Sequence, residues 1–297
     1  MSTINEGYVY RARVAAEAAG ASVLAFHVAR FRHSDEAAWR GAIEGGRVLV
    51  NGRRVAPDEP LAAGDELEFH RPPWSEPAAP ESFAVAFEDE HVLVVVKPAG
   101  LQVLPAGPFS ARTLLTLVRA SDSSRAAAAP AHRLGRGTSG LIAFGKSAMG
   151  RASLSRQLRE GCFGKTYLAW VEGATLPASF AARQPIARIA HGPIAIYAAA
   201  ERGRASLTRV RVLRRERERS LVAAQPITGR PDQIRIHLAA AGAPIVGDPL
   251  FGPGGTPKSS VPPGTGGYLL HAAALSFTHP TSGARIRLRS RPEWLDS

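Results

Sequence analysis

The 297-residue chain is 45% hydrophobic and 21% charged, a balance that suits one or two folded domains with a real core and excludes wholesale disorder. A formal charge of +12 and a pI near 10.8 favour a polyanionic partner, nucleic acid first, although the many arginines and alanines also fit genome base composition. The single cysteine, Cys162, excludes an intramolecular disulfide and any cysteine-built metal site. The opening MSTINEGYVYRARV holds no signal-like apolar core and no run nears the roughly 20 residues of a membrane helix, so a cytoplasmic protein without membrane contact is expected.

The segments VLAFHVARF and EAAWRGAIEGG space their apolar residues as helices do. RVLV then meets Asn51-Gly52, a strong two-residue hairpin signal, and ELEFH alternates into a further strand after Gly64-Asp65. Residues 71–82, RPPWSEPAAPES, read as an extended linker. They divide the chain into a small module, 1–75, and a larger domain, 76–297.

The larger domain expects strands in FAVAFED, HVLVVVKP, GLIAFGKS, KTYLAWVEG, SLTRVRVL, LVAAQPI and QIRIHL, and helices in ARTLLTLVRA and AMGRASLSRQLREG. Several strands are joined by connections too short for a crossover helix, which predicts an α+β fold on a mixed, largely antiparallel sheet. SDSSRAAAAP reads as a loop or helix end, LRRERERS as an exposed strand end or hairpin, and GPGGTPKSSVPPGTGG as an exposed, mobile loop. No phosphate-binding glycine motif has the right spacing, no cofactor is expected, and His70, His91 and His191 have no partner spacing.

Four segments carry the chemistry: FEDEHVLVVVKPAGLQVLP (87–105), AHRLGRGTSGLIAFGKS (131–147), GKTYLAWVEG (164–173) and PITGRPDQIRIHLAAAGAPIVGDPLFG (226–252), followed by LLHAAALSFTHP (269–280). Together they resemble the RluA-type RNA pseudouridine synthase family. Trp39, Ile43, Gly46, Val48, Val50, Asn51, Gly52, Gly64 and Asp65 of the small module resemble the S4 RNA-binding module, with Arg32, Arg40, Arg47, Arg53 and Arg54 as candidate phosphate contacts.

The resemblance implies a base-flipping isomerase of rRNA or tRNA that needs no cofactor, no metal and no obligate protein partner. It implies that Arg133 helps push the target uridine from its stack, that Tyr167 stacks on the base near the proton transfers, and that Arg235 pairs with the catalytic aspartate. Arg136, Lys165, Arg230, Gln233 and Lys97 are the further RNA contacts it suggests, and Gln233 and His237 help order the site. His132 reads as a structural hydrogen-bonding residue, and Thr138, Ser139 and Gly140 as the turn into a buried strand. The family's aspartate position, however, is occupied by Gly135, and aspartate stands at 232 where the family has histidine.

A glycine has no side chain with which to attack the ribose or remove its C2′ proton. One reading therefore gives the catalytic role to Asp232, oriented and kept charged by Arg235 or Arg230. A second makes Asp232 a turn cap before the strand QIRIHL, in an inactive RNA-binding homologue. A third, a metal hydrolase using Asp248 or Glu88-Asp89-Glu90, lacks the usual metal-ligand spacing.

Overall fold

The computed structural model describes residues 4–31, 34–173, 175–191, 194–255, 257–258 and 267–295. Arg32 and residues 259–266 of the Gly/Pro-rich stretch lie outside the described residues. The chain divides into two compact units, Met1–Pro77 and Ala78–Ser297.

In the first unit, β1 (Tyr8–Arg13), β2 (Val48–Val50), β3 (Arg53–Arg54) and β4 (Glu66–Arg71) form a sheet ordered β1-β4-β2-β3, beside α1 (Val23–Arg30) and α2 (Glu36–Glu44). Ser22 and Asp35 start the two helices by accepting from the amides of Ala25 and Ala38. Trp39, Ile43, Val23 and Val48 make the core. Asn51, at φ +50°, and Gly52, at φ +76°, form the β2–β3 turn with the positive angles that this hairpin requires. The Asn51 side chain also binds Asp65 Oδ1 and the Glu66 amide, both at 2.9 Å, so the Asn-Gly and Gly-Asp signals belong to one structural device. Arg40 and Arg53 pair with Glu36 and Glu59, whereas Arg47 and Arg54 carry no ion pair among the described residues.

The second unit is built on β5 (Ala84–Glu88), β6 (Val92–Lys97), β7 (Ala129–Pro130), β8 (Ser139–Gly145), β9 (Gly164–Glu172), β10 (Ser179–Ala182), β11 (Ile186–His191), β12 (Ile194–Ala199), β13 (Thr208–Arg215), β14 (Arg219–Pro226), β15 (Leu270–Thr278) and β16 (Arg285–Arg289). Its helices are α3 (Leu114–Ser121), α4 (Ala148–Arg159) and α5 (Gln233–Ala240). The main sheet runs β10-β13-β14-β9-β15-β8-β6-β5, with β16 added on β15 and β7 on β8, while β11 and β12 form a hairpin of their own. Among the described residues all its pairings are antiparallel except β8 with β15. This is the mixed, largely antiparallel α+β architecture that the short connections predict.

The uninterrupted apolar run of β6 follows from burial on both faces. Leu93 and Val95 join a core with Leu114 and Val118 of α3, while Val92 and Val94 join another with Leu154 of α4. Register brings the site together: Tyr167 of β9 lies opposite Ala272 of β15, and Ala272 opposite Gly140 of β8. Gly140 is required there, since it sits at φ +106° and a Cβ would lie 2.4 Å from the Ala272 carbonyl oxygen.

One expected strand is wrong. QIRIHL forms α5, in which every residue from Gln233 to Ala239 is buried. A helix covered on all sides needs no polar face, so its chance apolar alternation imitates a strand.

Candidate active site

The motif segments converge on one cleft of about 2080 Å³, lined among others by Arg133, Gly135, Lys165, Tyr167, Asp232 and Arg235. α5 supplies its electrostatic centre. Arg235, 4% exposed, sends Nε and Nη2 to the two carboxylate oxygens of Asp248, each at 2.8 Å, and Nη1 to Asp232 Oδ1 at 2.7 Å. The rings of Tyr268 and Phe251 lie 4.4 and 5.1 Å from the guanidinium carbon. Burial opposes the charge on Arg235, but the Asp248 hydrogen bonds and the field of Asp232 outweigh it and hold the group protonated.

Asp248 accepts in addition from the amides of Leu250 and Phe251 at 2.9 and 3.0 Å, so its carboxylate is consumed in holding Arg235. The sequence reading treated Asp248 only as a hydrolase candidate and missed this anchoring role. Arg125 and Lys146 likewise occupy Glu88, holding its carboxyl down at about 2. No group of three His, Cys, Asp or Glu side chains suited to a metal occurs among the described residues.

Asp232 precedes α5 at φ +53°, ψ +14°, and is one of two non-glycine residues at positive φ among the described residues. Its side chain makes no capping hydrogen bond, so the turn-cap role is not what holds it. Its other oxygen accepts no hydrogen bond among the described residues, and the side chain is 30% exposed to the cleft. Left-handed backbone costs a non-glycine residue free energy, least for Asn and Asp, and such outliers concentrate at functional sites. Arg230 does not pair with Asp232: its Nη2 donates to the Ala205 carbonyl at 3.3 Å.

Across the cleft, a Cβ on Gly135 would lie 2.7 Å from the hydroxyl oxygen of Tyr268, which itself sits 3.1 Å from Thr138 Oγ1. A side chain at 135 would require the Tyr268 hydroxyl to shift. Tyr268, 4% exposed, therefore touches both halves of the site, stacking on Arg235 and crowding Gly135. No spacing in the sequence ties it to either.

Tyr167 is buried, and burial pushes its phenol above the ordinary range. Its hydroxyl makes no hydrogen bond among the described residues, though the residue lines the cleft. Lys165, two residues earlier, lines the cleft beside it, its amine lowered by burial. Arg133 is exposed on the cleft wall, and the Arg136 guanidinium sits 5.2 Å from the ring centre of Phe109. His132 is structural: Nε2 accepts from the Ala143 amide at 3.3 Å, and burial, then Lys165, push it to about 3.

Two expected RNA contacts are corrected. Lys97 is fully buried, its Nζ donating to the carbonyls of Pro98, Leu101 and Arg136 at 2.9, 2.7 and 3.1 Å. It clamps the 97–101 turn to the 132–138 turn and does not line the cleft. Gln233 spends its amide inside the protein, accepting from Thr228 Oγ1 and the Arg230 amide and donating to the Leu207 carbonyl and Thr208 Oγ1. His237 is likewise fixed between Thr208 Oγ1 and the Gln184 carbonyl.

Comparison with known proteins places the chain in a family. Residues 91–240 match the family model described as RNA pseudouridylate synthase. The chain is 40% identical over 269 residues to an uncharacterized RNA pseudouridine synthase of Synechocystis, covering 90% of this chain and 92% of the relative. It is 34% identical to ribosomal large subunit pseudouridine synthase C of Escherichia coli K12, covering 82% and 81%. In three dimensions it resembles human RNA pseudouridylate synthase domain containing 1, with a TM-score of 0.58 at 23% identity over 74% of this chain and 87% of that one. The likeness in three dimensions shows the shared fold, and the family match and the sequence relatives define an isomerase that acts on uridine in RNA. The chain belongs to the RNA pseudouridylate synthase family, in its RluA-type branch. No helix among its described residues is long and apolar enough to cross a membrane.

Proposed function

We propose that this enzyme converts uridine to pseudouridine in ribosomal or transfer RNA of the cytoplasm, and that Asp232 supplies the carboxylate the family places at position 135. The observation that carries the reading is Asp232 itself, a carboxylate in left-handed backbone, without a capping role, fixed by one oxygen to Arg235 and offering the other to the cleft. The Tyr268 hydroxyl at Gly135 supports it, because a side chain at 135 could enter only if that hydroxyl shifted. The Escherichia coli relative, a ribosomal large subunit enzyme by name, makes ribosomal RNA the first substrate to try.

In this mechanism the uridine leaves its stack, with Arg133 filling part of the vacated space, and lies against Tyr167. The free oxygen of Asp232 either attacks C1′ or removes the C2′ proton, the N1–C1′ bond breaks, and the base turns and rejoins through C5. The C5 proton is then lost and N1 gains one. Tyr167, a neutral phenol at neutral pH, acts as a proton donor or relay near the base. The Met1–Pro77 unit serves, in this reading, as an S4-like RNA-binding module, with Arg47 and Arg54 its open cations.

The test is tritium release from C5-labelled uridine RNA prepared from cells lacking the protein. Wild type is expected to release tritium, and Asp232→Asn, which keeps the backbone preference and the size, is expected to lose about a hundredfold to ten-thousandfold in rate. Full activity of Asp232→Asn overturns the assignment. Absence of release by wild type on such RNA favours the inactive, RNA-binding reading that Gly135 alone suggests.

A further inference from the structure

The cleft has a wall that the catalytic reading does not use. In the β11–β12 hairpin, Arg188 lies directly opposite Tyr197, so their side chains leave the same face as near neighbours. Both are exposed and both line the cleft. Ile189 and Ile196, the adjacent opposed pair, pack on the other side with Ile236 and Ala239 of α5. The hairpin is thus seated on the helix that carries Asp232 at its start.

Tyr197 is 36% exposed; of the opposed pairs flanking it on its face, Ala190–Ala195 is too small to cover the ring, and Ile186–Ala199 has its isoleucine buried in the core with Ile236 of α5. Neither side chain, of Tyr197 or of Arg188, has a hydrogen bond, ion pair or ring contact among the described residues. Of the aromatic residues on the cleft wall, Tyr167 and Phe163 are buried and Tyr197 is open. An open ring beside an open guanidinium, on the wall of a cleft that must admit an unstacked polyanion, fits a nucleotide by chemistry and by charge.

We propose that Tyr197 and Arg188 form a stacking platform for the nucleotide adjoining the target uridine, its base on the phenol ring and its phosphate on the guanidinium. Flipping the uridine deprives its neighbour of a stacking partner. A ring on the cleft wall replaces that partner without selecting among bases, because every base has a π-face. The platform rests on the enzyme acting on RNA, and not on Asp232 being the carboxylate.

The experiment measures anisotropy of a short fluorescein-labelled single-stranded RNA with one central uridine, titrated with full-length protein between about 50 and 200 mM salt. Tyr197→Ala is expected to weaken binding about tenfold at every salt concentration, and Tyr197→Phe to bind like wild type. Arg188→Ala is expected to lower the salt slope by about one. Thermal melting of each variant should match wild type, since both side chains are exposed. The platform is overturned if Tyr197→Ala binds like wild type, if Tyr197→Phe weakens as much as Tyr197→Ala, or if wild type does not bind the probe. Tritium release separates the two readings: release by wild type that Asp232→Asn keeps would sink the Asp232 assignment and leave the platform standing, whereas release that Asp232→Asn loses beside binding indifferent to Tyr197 would sink the platform alone.

Discussion

The turn at 132–138 and the start of α5 both line one cleft, and in the mechanism proposed above they divide the work differently from what the family resemblance implies. At the first, glycine stands where the resemblance leads one to expect aspartate, and a Cβ there would meet the Tyr268 hydroxyl. At the second, aspartate stands where the resemblance leads one to expect histidine, in left-handed backbone and bonded to the Arg235 guanidinium that Asp248 also holds. If the proposal holds, the contrast teaches that the charge which positions a catalytic carboxylate matters more than the turn that carries it. Arg235 is the fixed point, braced by Asp248, covered by Tyr268 and bonded to Asp232.

The sharpest way to break this comparison is to reverse it. The double substitution Gly135→Asp with Asp232→His restores the family pattern, yet the first side chain meets the Tyr268 hydroxyl. Tritium release is expected to fall about a hundredfold or more, and adding Tyr268→Phe should recover part of it. Wild-type rates from the double variant would show that the two turns are interchangeable and that Tyr268 excludes nothing.

Removing the fixed point has the next largest effect. Arg235→Leu leaves Asp248 buried without its partner, and denaturant unfolding should record a loss of about 3–5 kcal/mol. Unchanged stability would mean that Asp248 is satisfied without the arginine, which its two amide donors alone do not suggest.

The smallest expected effect is pH dependence at the first turn. His132 is held to about 3 in the fold, first by burial and then by Lys165, against about 6.5 when unfolded. Between these values the unfolded chain binds a proton that the folded chain does not. Its contribution is therefore complete above about pH 6.5 and is lost as pH falls toward 3. A His132→Gln variant should show a shallower acid loss in chemical unfolding across that window, and an identical pH profile would count against a neutral, buried imidazole.

Much of this was legible in the sequence, and the failures have physical causes. The turn signal at Asn51-Gly52 and the apolar run of β6 translated directly into structure, because local backbone preference and two-sided burial leave few alternatives. The motif residues Tyr167, Asp232 and Arg235 do meet in one cleft. α5 was misread because a helix buried on all sides loses its periodic signature. Lys97 was misread by position in the motif, although counting by twos along β6 places it with Leu93 and Val95, toward the core. Gln233 was misread because an amide's partners, here Thr228, Leu207 and Thr208, are set by tertiary packing. Tyr268 and the Arg188–Tyr197 pair left no trace in spacing, since only the fold brings them to the cleft.

The most direct test of the central claim is carboxylate deletion with chemical rescue. Asp232→Gly suits the left-handed backbone at that position and opens space for a small anion. Tritium release should disappear in Asp232→Gly and return in part when formate is added, with chloride giving no return. Undiminished release from Asp232→Gly without formate would contradict the account.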